Sequence, residues 1–405
     1  MSAEPVAGAS RPAPETVLLD ASDKARRLAL EIQAFIANEL IPLEAAEGIT
    51  FESPVTKAQL SKVWKLSAAR GIYQAMLPEH LGGRGLSMRD LCLIKETIAA
   101  SDAVLYSHVL GDFSGPPRVG HLFAHASPKQ LDKYLLPVAR ADKAVCFALT
   151  EPGAGSDASR IETRAGLDGN HYVLDGHKRF CTGAPFADIA MVFAVTDPGK
   201  GADGISMFFV ELDAPGVSVR SDYLPMSGQR TEGDIILDHC RIPRENLLGE
   251  PGEGFKLGMS RISLNRLLHC ATMLGLAKRS LAHACEFAQR RRQFGRPIAQ
   301  FQAIQHMLAD MHTELYAARS MVLHTALRLD GGEDVRTEAS MCKLFCSETA
   351  FKIADRAVQV HGGEALIQGH PVEWIFRMLR MFRILTGTSE IQRNTIARRL
   401  LQGTD

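Results

Sequence analysis

The chain has 405 residues, with 46 basic and 46 acidic side chains and a formal charge of zero. That balance offers no broad field to nucleic acid or an anionic membrane, and directs attention to a neutral partner or a small ligand. At ~100 to 200 residues per domain, two or three domains with a sizeable buried interior are expected.

Residues 1–20, rich in Pro and Ala, read as a flexible tail without the basic start and apolar run of a secretory signal. No stretch reaches the ~18 apolar residues of a membrane helix. The eight cysteines are scattered through apolar or helical contexts without a disulfide framework, so reduced thiols and a cytoplasmic location are expected. Cys342 and Cys346 stand one helical turn apart, but no second pair accompanies them; they read as core, and no metal is expected.

Leu28, Ile32, Phe35 and Ile36 recur at helical spacing from Ser22 to Pro42, and Leu60, Val63 and Trp64 open a second helix that ends at Gly71. Gly82, Gly83 and Gly85 form a turn rather than a dinucleotide fingerprint, because the strand, the spacing and the later acidic residue are missing. Ser87 then caps a helix bearing Leu91, Ile94 and Ile98. From Val145 to Ile242 the pattern changes to short β-rich runs at 172–174, 189–195, 205–212 and 234–237, separated by Asp-Gly and Pro-Gly turns. Helical periodicity returns beyond Gly254, over about 257–290, 299–329 and 337–360, with shorter segments at 371–382 and 388–401. The expected class is α+β in the order helical (21–144), β (145–250) and helical (251–405). Apolar residues on several faces of the last helices suit a bundle or a subunit contact.

Thr150-Glu-Pro-Gly-Ala-Gly-Ser-Asp157 closes an apolar run with a glycine-rich turn carrying a hydroxyl at each end. Gly153 and Gly155 are expected to take backbone angles that residues with a Cβ avoid, turning N–H groups and the Thr150 and Ser156 hydroxyls toward a flavin edge or a phosphate. Alone, such a turn reads first as an ordinary β-turn. Three further motifs follow in order: Arg291-Arg-Gln-Phe-Gly295 with Gln302, Gln359-Val-His-Gly-Gly363, and Gly387-Thr-Ser-Glu-Ile-Gln-Arg393.

With these four motifs the chain resembles the acyl-CoA dehydrogenases over about residues 22–402. The resemblance implies an N-terminal helical domain, a central β domain and a C-terminal four-helix bundle, usually assembled as a homotetramer. It implies FAD as cofactor, an acyl-CoA or acyl-carrier thioester as substrate, and electron-transfer flavoprotein or another acceptor as partner. Phe147, Leu149, Thr150, Gly155 and Ser156 are implied at the flavin, with Thr182 on its reactive nitrogen and Phe180 at the family's usual tryptophan position. Arg291, Phe294, Gln302, Gln359 and Gly363 match positions holding the pyrophosphate and adenine half, partly across a subunit boundary; the planar arginine fork suits two phosphate oxygens. Thr388 and Glu390 are implied at FAD too, while Thr388 or Ser389 also suits the cap of the final helix. Ser156, Asn265, Arg266 and Gly387 are implied on the substrate side.

Desaturation of a thioester needs a base for the α-proton and stabilisation of the carbonyl oxygen. Most of the family carries a glutamate directly before the glycine matching Gly387, and a minority carries one just before the arginine matching Arg266. Thr386 and Asn265 stand there instead. Thr386 keeps only its backbone N–H for the carbonyl; Asp112, in Gly111-Asp-Phe-Ser-Gly-Pro-Pro117, is the first candidate for a relocated base. Arg84 reads either as a holder of an anionic acyl tail or as a solvated loop arginine, and His108 and His361 read as packing or hydrogen-bonding histidines ahead of proton carriers. Two other readings fit the missing glutamate: a flavoenzyme of the same fold with desulfinase or reduced-flavin monooxygenase chemistry, and a non-catalytic thioester-binding subunit of a hetero-oligomer.

Overall fold

The computed structural model describes residues 21–403; the expected tail lies outside them. Helix α1 (Asp23–Phe35) starts where the Ser22 hydroxyl accepts a bond from the Ala25 N–H at 3.1 Å, and it buries Leu28, Ile32 and Phe35. The expected stop at Pro42 is not observed. A π-helical turn over Ile36–Leu40 carries the chain into a further helical segment, Ile41–Ala46. The wider turn accommodates a proline that has no N–H to give.

Helix α2 (Lys57–Ala69) opens with a Thr56–Gln59 capping box, and α3 (Met88–Ala99) opens at Ser87, whose hydroxyl accepts from the Asp90 N–H at 3.1 Å. Nearly every residue of α3 is buried, because it is clasped by α4 (Gly254–Arg290) and α5 (Gln302–Asp330). Gly275 permits this approach, since a Cβ there would meet the Glu96 carbonyl oxygen at 2.5 Å and the Ala99 Cβ at 2.7 Å.

Helices α6 (Arg336–His361), α7 (Pro371–Phe382) and α8 (Ser389–Gln402) complete the C-terminal part. The helices at the two ends of the chain share one apolar core: Ile32 and Phe35 belong to the same cluster as Leu274, Ala318, Cys346 and Trp374. All eight cysteines are unpaired, and Cys342 and Cys346 are buried as expected.

Between the helical parts lies an eight-stranded sheet in the order β6-β7-β3-β2-β4-β5-β8, with β1 (Val145–Ala148) also pairing β4. Its strands are β2 (Arg164–Asp168), β3 (His171–Thr182), β4 (Ile189–Val195), β5 (Ile205–Glu211), β6 (Val217–Arg220), β7 (Glu232–Pro243) and β8 (Leu247–Leu248). Strands β4 and β5 are buried on both faces. Met191, Phe193, Met207 and Phe209 pack toward Tyr134 and Leu257, whereas Val192, Phe208 and Val210 pack toward Leu174 and Ile235. A strand covered on both sides reads as an unbroken apolar run, as it does here. Among the described residues, no helix is long and apolar enough to cross a membrane.

Candidate active site

The glycine-rich turn after β1 is pinned from beneath by a buried ion pair. Lys178 Nζ lies 2.6 Å from Glu151 Oε1 and donates to the Leu149 carbonyl at 3.2 Å. Glu151 also accepts from the Glu162 and Thr163 N–H groups at 2.6 and 3.0 Å. Burial pulls the Lys178 ammonium down to about 8. Burial pushes the Glu151 carboxyl upward, but the Lys178 charge and the backbone bonds hold it below the usual range. Above this pair, the Arg179 N–H donates to the Thr150 carbonyl at 2.7 Å, joining the turn to β3 just before Phe180.

Neither Gly153 nor Gly155 takes a positive φ, which corrects the expectation of special backbone angles at the turn. A Cβ at either would meet nothing within 4 Å, so these glycines leave open space. Ser156 is exposed beside it, Thr150 and Phe147 are half-buried, and Leu149 is buried. The strain lies instead at Phe180, which has φ +54° at an irregularity in β3 and a 54% exposed ring. Its N–H donates to Asp234 Oδ1 at 3.3 Å, and its ring meets Tyr223 edge-on at 5.5 Å. The Arg179 guanidinium covers one part of the ring at 4.8 Å. A bulky residue held at positive φ with its ring half exposed is costly, and such strain is kept where a ligand uses it. Half-buried Thr182 follows two residues later. An open glycine edge, a half-exposed aromatic ring and the Thr150 and Thr182 hydroxyl residues fit the flat, polar-edged ring of a flavin.

A second group of residues is built where the turn before α8 meets α4. Thr386 and Gly387 have φ +59° and +89°. The Gly387 carbonyl accepts from Lys343 Nζ at 2.7 Å and from Gln392 Nε2 at 3.0 Å. Burial pulls the Lys343 ammonium down to about 8. Thr388 caps α8 as expected, its hydroxyl accepting from the Ile391 N–H at 3.3 Å, while Glu390 is exposed in the first turn. Thr386 Oγ1 and His269 Nδ1 share a hydrogen bond of 2.8 Å. Asn265 lies one turn before His269 on α4 and is also half-buried. Arg266 turns toward α6, where its Nη1 donates to Ser340 Oγ at 3.2 Å.

Sequence reasoning missed His269. The available signal was its i+4 spacing from Asn265 on a helix, which sets both on one face. His108 is a packing residue: it is fully buried, pulled down to about 3 by burial, and accepts from Trp64 Nε1 at 3.4 Å. His361 stacks on Phe287 at 4.5 Å, far along α4 from Thr386. Asp112 is not brought to Thr386 by any hydrogen bond; it forms an ion pair with buried Lys95 of α3. Asp112 and Lys95 line a narrow crevice with Ile98, Ala99, Tyr106, Leu110 and Thr272. Arg84 lies on the outside of the N-terminal helices, bonded to Glu31 at 3.4 Å and to the Arg70 and Gly71 carbonyls, and is not part of the site.

A third group gathers at the far end of α4. Exposed Arg291 follows α4 directly, and Phe294, with φ +48° and 92% exposed, tips the small hairpin beyond it. Gln302 is exposed at the start of α5. The His361–Phe287 stack brings exposed Gln359 and Gly363 alongside. Arg291 follows His269 by 22 residues, about 30 Å along a helix rising ~1.5 Å per residue.

Comparison with known proteins agrees with this arrangement. The N-terminal, middle and C-terminal domain profiles of acyl-CoA dehydrogenase match residues 22–142, 146–240 and 252–401. The chain is 38% identical over 372 residues to a 3-(aryl)acrylate reductase of Clostridium sporogenes, covering 91% of this chain and 96% of that protein. It is 38% identical over 336 residues to the caffeyl-CoA reductase-Etf complex subunit CarC of Acetobacterium woodii, covering 82% of this chain and 87% of that one. The solved FAD complex of PigA superposes with a TM-score of 0.85 at 28% identity, covering 95% of this chain and 98% of that one. The chain therefore belongs to the acyl-CoA dehydrogenase family of FAD-dependent oxidoreductases that act on CH–CH groups.

Proposed function

We propose that this enzyme interconverts a saturated acyl thioester and its α,β-unsaturated partner. The observation that carries this reading is the Thr386–Gly387 turn, which Lys343 and Gln392 fix against His269 of α4. FAD, when bound, supplies the acceptor for a hydride. Phe147, Leu149, Thr150, Gly155, Ser156, Phe180 and Thr182 would hold its ring system, with Thr388 and Glu390 at the head of α8. Backbone N–H groups of the Thr386–Gly387 turn would polarise the thioester carbonyl, a contribution that does not depend on side-chain chemistry.

Arg291, Phe294, Gln302, Gln359 and Gly363 gather about the far end of α4, ~30 Å from His269 along that helix, too far to serve the same dinucleotide as Thr386. They would hold the pyrophosphate and adenine half of a neighbouring subunit's FAD, which makes the enzyme an oligomer; exposed Leu366, Ile367, Leu400 and Leu401 supply apolar surface for a homotetramer. The Etf complex named for the Acetobacterium relative supports electron-transfer flavoprotein as the electron partner.

The Lys95–Asp112 pair bears on the acyl group. Asp112 Oδ1 is buried without a partner, and burial together with the Asp112 charge raises the Tyr106 phenol beside it. Thr272, which lines the crevice, lies on α4 three residues beyond His269. The crevice is too narrow to admit a water molecule, so an acyl end would reach Asp112 Oδ1 only by parting its walls; a hydroxyl or similar donor would then satisfy that oxygen, whereas a plain alkyl end would leave it unpaired as it is now. Asp112 thus serves as a wall residue rather than as the base.

Anaerobic mixing of the purified holoenzyme with a panel of alkyl and hydroxylated acyl thioesters tests the reading. Bleaching of the flavin with formation of the enoyl product is expected. Binding of every thioester without flavin reduction, and no reoxidation by any enoyl thioester, would overturn it.

A further inference from the structure

We infer that Thr386 and His269 together replace the missing carboxylate base, the hydroxyl receiving the α-proton while the imidazole takes the hydroxyl's own proton. This rests on the thioester reading above. Three features of the chain support it. The hydroxyl stands on a half-buried residue at positive φ, a conformation a β-branched side chain adopts only when its surroundings impose it. Those surroundings are the Lys343 and Gln392 bonds to the same turn. A hydroxyl 2.8 Å from an imidazole nitrogen is the arrangement that activates serine and threonine elsewhere, because histidine is a proton acceptor near neutral pH and an alcohol is not.

The Cα–H bond breaks and its proton passes to Thr386 Oγ1. The Thr386 proton passes to His269 Nδ1, leaving an imidazolium. The electron pair left at Cα becomes the new Cα=Cβ bond while the β-hydrogen leaves with its own pair, for which FAD, when bound, would supply the acceptor. In the reverse direction the same pair delivers a proton to Cα. His269 must therefore be neutral, with its other nitrogen protonated, when it accepts from Thr386.

Washout of α-deuterium from a bound 3-thia-acyl-CoA isolates the proton step, since sulfur at the β-position leaves no hydride to transfer. In the holoenzyme, exchange is expected for the wild type and for Thr386→Ser. It is expected to fall ~10²- to 10⁴-fold in Thr386→Val and in His269→Gln, with FAD content and thioester binding kept. Thr386→Glu in the His269→Gln background is expected to restore it. Exchange at the wild-type rate in Thr386→Val or His269→Gln would overturn the inference. If the wild type exchanges α-deuterium but never reduces its flavin, the base stands and the thioester oxidoreduction fails; if Thr386→Val and His269→Gln reduce their flavin as fast as the wild type does, the oxidoreduction stands and the base fails.

Discussion

Thr386 and His269 are 117 residues apart in the chain, yet their Oγ1 and Nδ1 atoms lie 2.8 Å apart. Groups that act as one unit are strongly non-additive when removed. The Thr386→Val/His269→Gln double variant should therefore be no slower in α-proton exchange than either single variant, within about threefold. Multiplied losses in a double-mutant cycle would show two independent roles.

The Glu151–Lys178 pair supports the flavin turn from inside the β layer. Lys178→Met leaves a buried carboxylate unpaired, which costs ~3–5 kcal/mol. Chemical denaturation should read a loss of that size, accompanied by poor FAD retention. By contrast Phe180→Ala, at an exposed and strained position, should leave the stability of the FAD-free protein within ~1 kcal/mol and still weaken FAD binding. Equal stability losses in the two variants would contradict this assignment.

Lys343 gives a pH dependence with a definite sign. Its folded value of about 8 lies below that of an exposed lysine near ~10.4, so between these limits the unfolded chain binds more protons than the native one. Stability contributed at this site therefore rises with pH across the window. Relative to Lys343→Met, the wild type should gain up to ~2 kcal/mol between pH 7.5 and 9.5. A flat difference would mean that the ammonium is not desolvated.

If Arg291 serves the neighbour's cofactor, damage at the two halves of the FAD site should complement. Arg291→Ala and Phe180→Ala chains, each poor in FAD, should regain substantial FAD when refolded or co-expressed together, because some sites then carry neither change. No recovery in verified mixed oligomers would place both residues at one chain's own cofactor.

The crevice at Asp112 makes a specificity prediction. Lys95→Met/Asp112→Leu replaces a buried pair with apolar side chains of similar size, an exchange that is often neutral for stability. The variant should shift kcat/KM at least tenfold toward plain alkyl thioesters over hydroxylated ones. An unchanged ratio would remove Asp112 from the acyl site.

Much of this was legible in residue order. Ser87 and Thr388 cap the helices they were expected to cap, since a hydroxyl satisfying an N–H three residues on is local chemistry. The apolar runs of β4 and β5 were clear because both faces of those strands are covered. Other features depended on distant partners. Pro42 reads as a helix stop unless the π-turn before it is known. Gly153 and Gly155 suggested unusual backbone angles, whereas their role is to leave space. Asp112 looked available as a base until Lys95, from another helix, was found against it. His269 carried no local signal beyond helical spacing, because its meaning comes from Thr386.

The most direct measurement is anaerobic reduction of the purified enzyme's flavin by an acyl thioester, followed by analysis of the thioester. The account predicts bleaching of the flavin with one enoyl thioester formed per flavin reduced. Protein that binds neither FAD nor thioester, or a fully loaded flavin that no saturated or unsaturated thioester reduces or reoxidises, would contradict it.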